Sequence, residues 1–203
     1  MRNFLCGLVI IVPTFLLGGL SGTYVIGDQG GADYSTFTQA ASALQSQGVS
    51  GPVTINVLSG TYTEYVTLNE ITGASATNTV TFQSADAQSD SVIWENTSNN
   101  YSYNYVLRLN GTDHVTLKHI TFKNINNSYG RKLVLAGITD SISVDSCSFL
   151  GKENAGSGTN HASIYGSGAV ATGLKIRNNT FIDGSNYAIS LTASSSSAAT
   201  GLE

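Results

Sequence analysis

Three eleven-residue lines constrain what this chain can become. HVTLKHITFKN (114–124), SISVDSCSFLG (141–151) and GLKIRNNTFID (173–183) lie on one another without a gap. Val115, Ile142 and Leu174 then share one column, and Leu117, Val144 and Ile176 a second. Ile120, Cys147 and Asn179 make a third, and Phe122, Phe149 and Phe181 a fourth. Within each line apolar and polar residues alternate, with one change of phase before the third column. Period two marks a strand and the phase break marks a bend, so each line reads as strand, bend, strand. Similar lines starting at 114, 141 and 173 predict a solenoid, each repeat burying its apolar edge on the next.

The composition suits short strands and tight turns: 22 Gly, 2 Pro and 11% charged residues, with 41% hydrophobic residues to fill a long, narrow core. One segment departs from the strand pattern. Phe37, Ala40, Ala41 and Leu44 fall at i, i+3, i+4 and i+7, which predicts an amphipathic helix over 34–47. Thr36 with Gln39 can form a capping box, and Gly48 ends the helix. The open end of a solenoid needs cover, so this helix is expected to be a lid within an N-terminal cap, 22–52. Rungs are expected over 53–191. The Ser/Ala-rich stretch 192–203 offers no closing helix and reads as the end of a chain cut before its C-terminal cap.

Residues 1–21 have the pattern of a secretory signal: Arg2, an apolar run too short for a membrane span, then Gly19-Leu20-Ser21 with small residues at 19 and 21. The expected location is therefore secreted or cell-surface, with membrane contact only through the cleaved signal. Cys6 would leave with it, and Cys147, alone at an inward position, is expected to be a buried, inert thiol. Without Arg2, 8 basic residues stand against 13 acidic ones. No Lys or Arg occurs in 22–107, whereas the second half is slightly basic. No basic stripe tracks a phosphate backbone, so nucleic acid is not an expected partner. An anionic polysaccharide over the second half is compatible with this charge.

GADYSTFTQAASALQSQG (31–48), INVLSGTYTEYVTL (55–68) and NTVTFQS (78–84) resemble the opening of pectinesterases and other pectate-lyase-like proteins. That opening is a Gly-Asp-Tyr/Phe turn, a Thr-Phe helix and a V-x-x-G-x-Y-x-E-x-V-x-I strand pair. The later rungs are similar to those of secreted surface proteins of Bacteroidetes-type bacteria. The resemblance implies an all-β fold, a right-handed parallel β-helix with an N-terminal capping α-helix. Fold alone does not carry function. The pectinesterase motifs D-F-I-F-G and L-G-R-P-W do not occur. Against the V-W-I-D-H line of pectate lyases, only His119 and Asp145 agree, and they belong to different repeats.

Two groups of side chains are candidate sites. Lys118, Asp145 and Arg177 share an outward column. At a strand spacing of about 4.8 Å they form a ladder of surface ion pairs. As a sugar-acid site, Asp145 would hold Ca²⁺, with Lys118 or Arg177 meeting a carboxylate or acting as base. His119 at the bend is either an acid–base group or a residue that satisfies turn backbone. Trp94, Tyr101, Tyr103 and Tyr105 surround a polar insertion, 95–105. They either present flat faces to sugar rings or turn inward over the core. The expected function is a β-helix module that contacts polysaccharide and is non-catalytic in this segment. The alternatives are a polysaccharide lyase or pectin-acting hydrolase, and a structural adhesin stalk.

Overall fold

The structure is a computed structural model that describes residues 18–192 apart from 157, 169 and 185. The expected leader and the Ser/Ala-rich end lie almost wholly outside these residues. The chain opens with β1 (Leu20–Ile26), whose first residues fall within the span read as leader; Leu20 pairs with Val49. Helix α1 (Phe37–Gln47) follows. It starts with the apolar stripe at Phe37, three residues after the expected 34, because Tyr34 is held extended: its carbonyl accepts from Gly27 N at 2.9 Å. Thr36 Oγ1 then accepts from Gln39 N as the expected capping box requires, but the return bond shifts by one residue: Gln39 Oε1 accepts from Ser35 N, before the cap. Glu64 reaches back from the coil, its carboxylate accepting from Phe37 N and Thr38 N, each at 2.9 Å. An anion at the positive helix end ties the cap to the first rung.

The coil then winds through three strands per turn. Its first turns are β2 (Val49–Val57), β3 (Gly60–Thr63) and β4 (Val66–Asn69), then β5 (Val80–Ser84), β6 (Val92–Glu95) and β7 (Leu107–Asn110). The next turn holds β8 (Val115–Lys118), β9 (Thr121–Lys123) and β10 (Leu133–Ala136). After it come β11 (Ile138–Asp140), β12 (Ser143–Asp145), β13 (Ser148–Leu150) and β14 (Ile164–Ser167). The last described turn is β15 (Val170–Thr172), β16 (Lys175–Arg177), β17 (Thr180–Ile182) and β18 (Ile189–Thr192). Strands of successive turns stack into a first sheet β1-β2-β5-β8-β12-β16, a second β3-β6-β9-β13-β17 and a third β4-β7-β10-β14-β18, with β11-β15 as a short fourth. Every pairing is parallel, so the chain is a parallel β-helix. Right-handed winding is the rule for parallel strand–crossover–strand units.

The predicted columns stack in register: Leu117 on Val144 and Ile176, Phe122 on Phe149 and Phe181. The ring stack runs further than the three lines, as Phe37, Trp94, Phe122, Phe149 and Phe181, with successive centroids 3.7, 5.6, 5.3 and 5.1 Å apart. The helix thus joins the core through Phe37. Asn179, in the column of Ile120 and Cys147, accepts from Cys147 N and donates to Val144 O, each at 2.8 Å. Burial pushes the Cys147 thiol up to about 12, an inert side chain. Thr121, which alternation with the inward Phe122 would turn outward, is buried, its hydroxyl donating to Ser89 O at 2.7 Å. The reason is that residues 85–91 fold over that position.

In the rungs that begin at 114, 141 and 173 the bend between the first and second sheets turns on one left-handed residue. His119, Ser146 and Asn178 stand there with φ of 51°, 54° and 56°, the left-handed region that turns a strand sharply. Between the second and third sheets the connections are longer and unequal. That difference builds the site.

Candidate functional site

The outer face of the third sheet carries the site. On β4, β7, β10 and β14 the inward residues Val66, Leu107, Leu133 and Ile164 are buried. Alternation leaves Thr67, Arg108, Val134 and Tyr165 as one outward column, in register across the four strands. Residues 96–106, 124–132 and the described part of 151–163 stand beside this face as a wall.

The asparagines of the insertion fix that wall. Asn96, buried, donates to the carbonyls of Tyr103 and Tyr105 at 2.6 and 2.7 Å and accepts from Ser98 N. Asn100 accepts from Ser102 N and caps a 3₁₀ turn, Tyr101–Tyr103. Asn104 accepts from Arg131 N at 2.9 Å and donates to Asn160 O at 3.1 Å, joining all three connections. One rung on from Asn96, Asn124 repeats its inward role and donates to Arg131 O. At the next rung the column holds Gly151, and the Lys132 ammonium lies 2.9 Å from where a Cβ would stand. Lys132 is wholly buried and donates to His161 O at 3.3 Å; burial brings its pKa down to about 8.

Between wall and sheet runs a groove of about 360 Å³, lined by Tyr101, Tyr105, Arg108, Arg131 and Tyr165, with Ser102, Asn104 and Ser167 among its polar groups. Tyr101 is 67% exposed and meets Tyr129 edge-on. Tyr103, 40% exposed, stacks on Tyr65 at 4.5 Å. Tyr105 is half-buried, its hydroxyl accepting from Thr67 Oγ1 at 3.0 Å. The Arg131 guanidinium lies 3.4 Å over the Tyr165 ring, and its Nε donates to Thr159 O at 2.9 Å. Arg108 Nε is buried and has no acceptor.

Of the aromatic group named from the sequence, Tyr101 and Tyr105 line the groove and Tyr103 flanks it. Trp94 does not belong to the surface: it is 1% exposed and lies flat against Phe37, its Nε1 donating to Glu64 O at 3.1 Å. Its register partner is Phe122, which places it in the inward column of the second sheet. Arg108, Arg131, Tyr165 and Tyr65 were not singled out by the sequence.

Lys118, Asp145 and Arg177 do share an outward column, but on the first sheet, a different face from the groove. Asp145 accepts from Asn178 Nδ2 at 3.0 Å and Ser146 Oγ at 3.1 Å; the Asn178 bond in particular holds it below the usual carboxylate range. Among the described residues, no three of His, Cys, Asp or Glu come together as a metal site. Asp145, held by neutral donors, therefore lacks the companion carboxylates that a Ca²⁺ ion takes. His119 occupies a left-handed bend position.

No family profile and no curated protein matches the chain. Two solved structures, both of the pectin methylesterase from Aspergillus niger in differently deglycosylated forms, are similar to it. They share 13% and 12% identity, each with a TM-score of 0.41, over 79% of this chain and 68% of that one.

Proposed function

We propose that the chain is a secreted or cell-surface β-helix module that holds a polysaccharide along its third sheet without transforming it. The observation that carries this reading is the groove itself, walled by Tyr101 and Tyr105 and floored in part by Tyr165. Aromatic faces suit the apolar faces of sugar rings, while Ser102, Asn104 and Ser167 supply hydrogen bonds to hydroxyls. The wall is held by asparagine–backbone bonds, so little ordering remains to be done on binding. Among the described residues, the groove's lining carries no Asp, Glu, His, Lys or Cys, so Ser102 and Ser167 have no carboxylate or imidazole of the lining to activate them. The leader-like start, 1–21, supports export.

A glycan-array screen followed by calorimetry tests the reading. Tyr101→Ala and Tyr165→Ala should each weaken the best ligand about tenfold or more, since one aromatic contact of this kind contributes roughly 1–2 kcal/mol. Binding unchanged by both substitutions would contradict it. A folded protein that binds no glycan would favour the stalk alternative.

A further inference from the structure

We infer that the ligand of this groove is acidic and that Arg108 is the side chain that meets its carboxylate or sulfate. The inference rests on the glycan-binding reading above and adds the charge of the ligand. The chain as a whole is acidic, with 13 Asp and Glu against 9 Lys and Arg, yet the groove lining holds two guanidiniums and no carboxylate. The local sign is therefore the reverse of the global one.

The two arginines are not equivalent. Arg131 is committed to the protein: it donates to Thr159 O and to the side-chain oxygens of Thr159 and Asn160, and it lies on Tyr165. Arg108 stands one strand away in the outward column, next to Val134 rather than to any acid. Its Nε is cut off from solvent with no acceptor, whereas buried polar groups are nearly always paired. Arg108 lines a groove that holds no carboxylate, and the planar N–H donors of a guanidinium match an oxyanion, which accepts two such bonds at once. Carboxylate and sulfate share that geometry. Only two cations line the site, too few to track a phosphate backbone.

The test is calorimetry of the whole chain against one oligosaccharide backbone in neutral, uronate and sulfated forms, plus a single-stranded oligonucleotide. The uronate or the sulfated form should bind about tenfold or more tighter than the neutral one, the usual range for a charge-assisted bond. The tighter of the two names the source of the anion. Arg108→Gln should abolish that preference, Arg108→Lys should keep part of it, and Tyr101→Ala should weaken neutral and acidic forms alike. Unchanged melting temperatures keep misfolding out of the comparison. Equal binding of neutral and acidic forms, or a preference that survives Arg108→Gln, overturns the inference and leaves the glycan groove standing. Tighter binding of the oligonucleotide overturns it in favour of a nucleic-acid ligand. Failure to bind any form overturns both readings.

Discussion

The two sides of the second sheet differ in how the chain leaves them. Toward the first sheet it turns through one left-handed residue, His119, Ser146 or Asn178, in the rungs that begin at 114, 141 and 173, whereas the rung before them carries the longer connection 85–91. Toward the third sheet it leaves by connections of unequal length, spanning 96–106, 124–132 and 151–163. A one-residue bend admits no insertion, so the face beside it stays a flat ladder. Where length is free, side chains can be raised above the sheet, and that is where the tyrosines, Arg131 and the groove lie. The repetitive side carries the stacked core and the variable side carries the groove.

Substitutions can break or sharpen this contrast. The largest effect is expected in the ring stack shared by all rungs. Phe122→Ala should destabilise by about 3–5 kcal/mol, read from a denaturant titration, because it opens a cavity between Trp94 and Phe149. Next is Lys132, buried with one carbonyl acceptor under the variable side. Its folded pKa of about 8 lies below the unfolded value of about 10.4, so the unfolded chain binds more protons between them. Stability should therefore rise as pH climbs from 8 toward 10.5 and be lowest, from this group, below 8. Lys132→Met should stabilise at pH 7 by about 2 kcal/mol, with the advantage gone near pH 10.5. Stability of the wild type that does not rise over this pH range would remove the buried-ammonium account.

A smaller effect belongs to the bend. Ser146→Val forces a β-branched residue into φ near 54° and should cost about 1–2 kcal/mol, while Ser146→Gly should cost little or stabilise slightly. Thermal melts of the pair would show whether the left-handed bend carries strain. The smallest effect is expected on the flat ladder. Asp145→Ala should change stability by less than about 1 kcal/mol and leave glycan binding unaltered, since surface charge ladders contribute little. A loss of binding would return the site to the first sheet.

The same contrast explains what could be read from the sequence. Columns joined by the one-residue bend keep a fixed offset, so Phe122, Phe149 and Phe181 align by inspection, as do Lys118, Asp145 and Arg177. Arg108, Val134 and Tyr165 align only after the unequal connections are subtracted, and no repeat in the sequence marks that register. Trp94 was legible in principle, since Val92 and Trp94 alternate with outward residues; its neighbouring tyrosines drew it to the wrong face. The tyrosines of 101–105 resisted because their alternation suggests a strand, whereas Asn96 and Asn100 bend them into a turn.

Backbone amide shift mapping with an acidic oligosaccharide tests the central claim most directly. Perturbations should cluster at 101–109, 131–136 and 165–167, and leave 116–119, 143–146 and 175–178 still. Shifts centred on that second group would contradict the assignment of recognition to the variable side.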